Sequence, residues 1–207
     1  MPLWGTAHAA ATNKPKFLTT DEDSDYTRQD SYATQGGWAM RAGTKSQGND
    51  NTSADPEILV AIGDLAGSTD TTGLRAPTVT HMRFVKGTTA TTALTAVDST
   101  GRVMVEITWD EAVTDAGSPQ VVVANSNASG GGFGKYTLTY TATGSTANRK
   151  RFVATSQSLG NTDVLTLGGA NITLNSGTIS DTVRGGTNLA ASLVLSGITA
   201  VAVTIAS

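Results

Sequence analysis

The sequence predicts an all-β protein whose C-terminal part is a β-sandwich. Apolar and polar residues alternate along several short segments, as the burial of one face of each strand requires. Turn-forming residues separate these segments at intervals of about 8–12 residues, which is the strand spacing of a sandwich. The 23 glycines and the many threonine, alanine and serine residues suit strands and tight turns better than helices.

The clearest predicted strand is Val103–Trp109, in which every second residue is large and apolar, so we expect Trp109 in the core. The glycine-rich stretch 129–134 is expected to form a loop between two strands. The last segment is expected either to close the sheet or to pair with a neighbouring subunit. In chain order, the predicted sandwich strands are Ala76–Val85, Val103–Trp109, Gln120–Ala124, Tyr136–Ala142, Arg151–Thr155, Asp163–Gly168, Ala191–Ser196 and Ile198–Ile205.

The chain is expected to divide near residues 72–77 into an extended N-terminal arm, residues 1–75, and a sandwich domain, residues 76–207. The arm has two segments with strand patterns, Tyr32–Arg41 around a Gly-Gly turn and Pro56–Gly63. Two short strands bury too little apolar area to order an arm of about 70 residues. We therefore expect the arm to gain its order from a neighbouring surface.

The composition disfavours several classes of protein. A net charge of -3, with 15% charged residues, leaves no basic surplus for nucleic acid. The chain has no cysteine, so disulfides give no support to an oxidising extracellular origin. No segment approaches the roughly 20 apolar residues of a membrane span, and the N-terminus lacks the pattern of a Sec signal peptide. We therefore expect synthesis in the cytoplasm.

The sequence carries no recognisable catalytic or metal-binding constellation. The two histidines, His8 and His81, are too few for a zinc site without cysteine, and no Gly-x-Ser-x-Gly elbow is present. The alternation of Asp21, Asp23 and Asp25 is that of a calcium loop, but the glycine and the final carboxylate of an EF-hand are missing. We expect no enzyme activity, no cofactor and no metal.

Two further features suggest contacts with other proteins. The basic run Asn148–Arg151 is interpreted as a solvated turn, with contact to an acidic neighbour as an alternative. Large aromatic side chains in an arm of small residues are expected to fill pockets of a partner, the alternative being that they fold back on the sandwich. The segment Ile58–Ile62 is expected to add a strand to a sheet edge. The predicted anchoring residues are Trp4, Phe17, Trp38, Ile58 and Val60.

The segment Val103–Val113 resembles the V-x-V-x-[FW]-[DS]-E-A-V strand of the bacterial Ig-like repeats of large surface and adhesion proteins. Those repeats later carry an L-x-L-x-x-G-T-I-x-D stretch, to which Ile172–Asp181 is similar, and then a Gly/Asn turn. The resemblance covers Asp98–Leu195 and implies an Ig-like β-sandwich. Such repeats sometimes bind calcium at their ends, but we favour turn capping for the acidic residues concerned, Asp110, Glu111, Asp115 and Asp181.

The arm resembles the N-termini of virion structural proteins of tailed phages, particularly marine ones. The similar motifs are Trp4-Gly5, Lys14–Leu18, Gly37-Trp38 and Glu57–Ile62, and they occur in the same order. Each motif is weak alone, and the order makes the set more specific. The resemblance covers roughly the first third of the chain and implies a component of a virion.

These features together predict a phage virion structural protein, namely a capsid decoration (cement) protein that stabilises the head through its arm. The expected partners are the major capsid protein and neighbouring copies of the chain, with weak contact to host-surface glycans, and neither nucleic acid nor membrane. The expected location is the virion. Two alternatives stay open: a virion protein of the neck, tail or fibre, and a bacterial surface adhesion module.

Overall fold

The computed structural model describes residues 30–42, 51, 53–63, 65–66, 76–86, 89–90, 93–95, 102–126, 134–155, 157, 159–160, 162–181 and 190–206. Over these residues the chain forms fourteen β-strands and no α-helix, which confirms the predicted all-β, Ig-like sandwich class. The strands are β1 Ser31–Thr34, β2 Gly37–Met40, β3 Glu57–Ala61, β4 Val79–Lys86, β5 Thr89–Ala90, β6 Ala93–Thr95, β7 Val103–Trp109, β8 Val113–Ala116, β9 Gln120–Asn125, β10 Lys135–Thr141, β11 Arg149–Ala154, β12 Val164–Leu167, β13 Thr178–Asp181 and β14 Val201–Ala206.

The described residues group into two compact units. The first comprises those within Met1–Thr80 together with Trp109–Thr114 and Ser180–Ser192. The second comprises those within His81–Thr108, Asp115–Ile179 and Leu193–Ser207. The predicted domain boundary after residue 75 stays a prediction.

The first unit contains an antiparallel sheet of three strands in the order β1-β2-β3. Strands β1 and β2 form the predicted hairpin, with Ser31 opposite Met40 and Thr34 opposite Gly37. The side chain of Thr34 closes the turn, since its Oγ1 donates to the carbonyl oxygen of Gly37 at 2.8 Å. Gly37 has a φ of 130°, and a Cβ at this position would overlap the carbonyl oxygen of Val60. Glycine is therefore required where β2 meets β3.

A small hydrophobic cluster stabilises this sheet. Ala33, Trp38 and Leu65 are fully buried in it, and Val60 and Ile62 pack against them. These residues come from all three strands and from the chain that follows β3, so the cluster fixes β3 against the hairpin.

The segment Trp109–Thr114 joins β1 to the chain around residue 78 within the first unit. The amide of Ala33 donates to the carbonyl oxygen of Asp110 at 2.7 Å, and Ala33 pairs in parallel with Glu111. The two carboxylate oxygens of Asp110 accept from the amide and the hydroxyl of Thr78, each at 2.7 Å. Trp109 is buried as predicted, and its Nε1 donates to the carbonyl oxygen of Ser192 at 3.0 Å.

The second unit contains a nine-stranded sheet in the order β5-β4-β7-β11-β10-β9-β12-β14-β6. Its end strands β5 and β6 are close neighbours in the chain, since Ala90 ends one and Ala93 begins the other. The sheet therefore curves until its two ends nearly meet, and it forms a near-closed sandwich with little free edge. Its core is filled by large side chains at alternate strand positions: Phe84, Ile107, Leu138, Phe152, Leu165 and Leu167.

Several strand predictions are confirmed and others need correction. The predicted strand Val103–Trp109 has the bounds of β7, and the last predicted segment closes the sheet, because β14 pairs with β12 and β6. The predicted strand Ala191–Ser196 is wrong. Its backbone forms no strand ladder. The carbonyl oxygen of Leu193 accepts from the amide of Ile172, and the amide of Leu195 donates to the side-chain Oδ1 of Asn171. Strands β5, β6, β8 and β13 were not predicted.

Candidate docking edge

Strand β3 lies at the edge of the three-stranded sheet. The opposite edge strand, β1, already contacts Asp110 and Glu111 along its outer side. Four of the five residues of β3 are exposed, and only Val60 is partly buried. Within the described part of the first unit, β3 therefore presents the more open strand edge. An open edge offers backbone N–H and C=O groups to an added strand.

A β-bulge determines which side chains β3 exposes. Trp38 pairs with Val60 while its neighbour Ala39 pairs with Ile58, so Leu59 is an extra residue on β3. In a regular strand, consecutive side chains point to opposite faces, whereas a bulge re-aims one of them. Ile58 is 47% exposed and Leu59 is 36% exposed. The bulge thus places two consecutive aliphatic side chains in contact with solvent.

Large exposed apolar side chains are few in the part of the chain that the structure describes. They are Ile58, Leu59 and Val194, and two of these three are adjacent on β3. A single exposed aliphatic residue such as Val194 is ordinary in proteins, and the adjacent pair on an open strand edge makes β3 the candidate contact surface of the described residues. We call the strand Glu57–Ala61, with its exposed pair, the β3 edge.

The five predicted anchoring residues do not share one environment in the structure. Trp38 is fully buried in the cluster of its own chain, so in this conformation its ring contacts Ala33 and Leu65. Ile58 is exposed on the β3 edge, and Val60 packs inward against the cluster. Trp4 and Phe17 lie outside the described residues. The anchoring role of all five stays a prediction, and sequence reasoning missed Leu59, whose exposure depends on the bulge.

The basic run Asn148–Arg151 is not the solvated turn that the sequence suggested, because all four residues are buried and most of them lie in β11. Its arginines surround Glu106 of the neighbouring strand β7, which is only 2% exposed. The Nη2 of Arg151 lies 2.6 Å from one carboxylate oxygen of Glu106, and the Nη2 of Arg83 lies 2.8 Å from the other. The Nη1 of Arg149 lies 3.6 Å from that second oxygen.

The electrostatics of this cluster favour the ionised carboxylate. Burial by itself raises the pKa of Glu106, because it removes water from the charged form. The charges of Arg149 and Arg83 and the hydrogen bonds from Arg151 and Arg83 outweigh burial, so the pKa of Glu106 lies below its ordinary value. The cluster therefore holds β4, β7 and β11 together as a structural ion-pair network.

A second ion pair lies nearby in the same unit. The Nζ of Lys150 lies 2.9 Å from a carboxylate oxygen of Asp115. Burial, followed by the hydrogen bond to Asp115 and the charge of that carboxylate, raises the pKa of Tyr140 to about 12. The side chains of Lys150 and Tyr140 both interact with the carboxylate of Asp115, so the three form a structural network.

The acidic residues considered as calcium ligands have other partners. The carboxylate of Asp110 is bound by Thr78, and that of Asp115 by Lys150. Among the residues that the structure describes, no three histidine, aspartate or glutamate side chains form a group that could hold a metal ion. Asp21, Asp23 and Asp25 lie outside the described residues, as does His8. The expectation that the protein is not an enzyme stays a prediction.

Comparison with known proteins gives no match among family models, curated proteins or solved structures. No helix within the described ranges is long and apolar enough to cross a membrane.

Proposed function

We propose that this chain is a structural protein of a tailed-phage virion, and specifically a subunit that decorates the head. The observation that carries the proposal is the β3 edge, on which Ile58 and Leu59 are exposed beside open backbone groups. An added strand gains affinity from main-chain hydrogen bonds and specificity from its side chains, so such an edge suits protein docking. The edge also lies within the segment that resembles the N-termini of virion proteins.

The two units have different tasks in this proposal. The nine-stranded sheet leaves little free edge, because β5 and β6 bring its two ends together. It serves as a stable module that the virion displays. The three-stranded sheet supplies the β3 edge for attachment, and the proposed partners are the major capsid protein and neighbouring copies of the chain.

Trp38 contributes to docking from behind the edge. Its buried ring packs with Ala33 and Leu65, and Val60 of β3 packs against the same cluster. This packing holds β3 in place before a partner arrives, which lowers the entropic cost of binding. Trp4 and Phe17 keep their predicted role as direct anchors.

A single contact through this edge is weak. Stable protein interfaces bury at least about 1,200 Å² of accessible surface. A strand of five residues with two exposed aliphatic side chains buries far less surface than that. On a symmetric shell, many copies bind at once, and each further contact forms at a high effective concentration. The function proposed is mechanical: repeated weak contacts reinforce the shell against the internal pressure of packaged DNA.

The location of the chain in purified virions tests the proposal. Virions produced from the genome that encodes the chain are gently dissociated, and empty heads and detached tails are separated and digested for mass spectrometry. The proposal predicts peptides of this chain in the head fraction at many copies per particle. Peptides confined to the tail fraction, or their absence from the virion, would contradict it.

A further inference from the structure

The network around Glu106 contains more positive than negative charge. The guanidinium groups of Arg83, Arg149 and Arg151 surround one carboxylate, so these four side chains together carry two excess positive charges. All four are largely buried, and the most exposed of them, that of Arg83, is only 16% exposed. A buried charge is costly unless an opposite charge lies beside it. The network therefore favours the approach of a further anion.

The guanidinium group of Arg151 has a donor that Glu106 does not use. Its Nη2 donates to Oε1 of Glu106 at 2.6 Å, whereas its Nε is buried and has no hydrogen-bond partner among the described residues. The whole residue is only 7% exposed, so bulk water does not satisfy this donor. Because buried donors in proteins nearly always find an acceptor, the Nε of Arg151 indicates a partner that the described protein atoms do not supply.

The connection between β10 and β11 covers this donor. Gly144 has a φ of 79°, and a Cβ at this position would overlap the guanidinium group of Arg151, so the backbone lies directly against that group. The Oγ of Ser145 accepts from the amide of Arg151 at 2.8 Å. The Oγ1 of Thr146 in the same connection is also buried without a hydrogen-bond partner. Two polar atoms of this region, one on Arg151 and one on Thr146, thus remain available to a small ligand.

We propose that the cluster of Arg83, Arg149 and Arg151 binds a small, doubly charged oxyanion of the class of sulfate and hydrogen phosphate, which accepts a hydrogen bond from the Nε of Arg151. Guanidinium groups suit oxyanions because their planar set of N–H donors matches the oxygen atoms. A ligand with two negative charges balances the excess charge of the four side chains. The inference is independent of the proposed function, since the site lies in the nine-stranded sheet and not at the β3 edge.

The burial of the cluster selects a free ion over the phosphates of a nucleic acid. Arg149 and Arg151 keep only 5% and 8% of their side chains exposed. A nucleic-acid backbone binds basic groups that are displayed on a surface, and it is too large to reach these two side chains. The net charge of -3 gives nucleic acid no general attraction to the chain.

Thermal melting of the full chain in the presence of different salts tests the site. Sodium sulfate and sodium phosphate are titrated at pH 7 in the low millimolar range, and sodium chloride at the same ionic strength controls for screening. A bound ion stabilises the folded state as mass action requires, so its effect follows the occupancy of one site. The general stabilisation of proteins by sulfate and phosphate acts through exclusion from the protein surface and does not depend on a single arginine. A short single-stranded oligonucleotide supplies phosphate in polymeric form.

We expect sulfate and phosphate to raise the melting temperature, while chloride and the oligonucleotide leave it unchanged. The variant Arg151→Lys keeps the positive charge but loses the Nε donor, and we expect it to bind sulfate at least about tenfold more weakly in isothermal titration calorimetry. The matched control Arg102→Gln, which removes an exposed arginine, is expected to bind sulfate like the wild type.

Each variant is compared with itself in the presence and absence of the ion, so a change in its own stability does not obscure binding. The wild type alone also tests the proposal, since equal melting temperatures in sulfate, phosphate and chloride would overturn it. Equal affinity of Arg151→Lys and wild type for sulfate would overturn the assignment to this cluster. An equal rise in melting temperature with the oligonucleotide would overturn the choice of a free ion.

Discussion

Arg151 and Glu106 stand directly opposite each other on the antiparallel strands β11 and β7, and their side chains meet at 2.6 Å. Arg83 and Arg149 approach the same carboxylate, so one buried anion is shared by three cations from two neighbouring strands. Removing one partner of a buried ion pair usually costs more than the pair contributes, because the remaining charge stays desolvated.

The substitution Glu106→Gln keeps the shape of the side chain and removes its charge. We expect it to lower the free energy of unfolding by about 3 kcal/mol, because the buried guanidinium groups lose their shared carboxylate. Urea denaturation of both proteins measures the difference. The control Glu57→Gln, on the exposed β3 edge, is expected to change stability by no more than about 0.5 kcal/mol. Similar values for the two variants would show that the network does not stabilise the fold.

The same cluster predicts a dependence of stability on pH. The pKa of Glu106 is lowered in the folded state from an ordinary value of 4.5, so its contribution is fully present above about pH 4.5. This contribution is lost as the pH falls through the lower, folded-state pKa. We therefore expect the stability difference between wild type and Glu106→Gln to be constant from pH 7 to about 5 and to shrink in more acidic solution. A difference that stays constant down to pH 2.5 would contradict the lowered pKa.

The raised pKa of Tyr140 predicts that the stability of the fold decreases at the alkaline end of the pH range. Its pKa is raised to about 12, so the neutral phenol is stabilised by folding, and this contribution is lost as the pH rises from about 10 through 12. Absorbance at the phenolate band during alkaline titration of the folded protein is expected to show a late component. The variant Tyr140→Phe is expected to remove part of it, because burial also raises the pKa of Tyr32. Retention of the full late component in that variant would assign it to another tyrosine.

Gly37 and Gly36 provide a matched pair for testing how β3 is held. An alanine Cβ at position 37 would overlap the carbonyl oxygen of Val60 at a φ of 130°, so Gly37→Ala is expected to destabilise the first unit by about 2 kcal/mol or more. At position 36 the nearest atom to an added Cβ, on Ile58, is 3.7 Å away, which is ordinary contact. We expect Gly36→Ala to change stability by no more than about 0.5 kcal/mol. Thermal melting of both variants measures the difference in stability. Equal losses of stability in the two variants would contradict the close approach of β3 to Gly37.

Much of the fold follows from local patterns in the sequence. The recurrence of a large apolar residue at every second position gave the bounds of β7, and β9 and β10 were predicted to within one residue at each end. Strands β5 and β6 span two and three residues, which is too short for a period of two to be recognised. The segment Ala191–Ser196 has a strand-like pattern but forms no strand ladder with the other described residues, and pairing is a property of the tertiary structure.

The candidate site was less accessible to sequence reasoning. Strand β3 was expected from its run of aliphatic residues, but the exposure of Leu59 follows from a bulge, which local sequence does not reveal. The basic run around Arg151 suggested a solvated turn, because its partner Glu106 lies 45 residues away in the chain. Trp38 suggested an anchor for a partner, whereas the cluster that buries it includes Leu65 from beyond β3.

The measurement that tests the central claim most directly is the binding of the purified chain to isolated virion heads that lack it. Wild type is compared with Leu59→Lys on the β3 edge and with Val194→Lys, which places the same charge at another exposed aliphatic position. We expect Leu59→Lys to bind at least about tenfold more weakly, a loss of about 1.4 kcal/mol per contact, while Val194→Lys binds like the wild type. Equal binding of wild type and Leu59→Lys would contradict docking through the β3 edge.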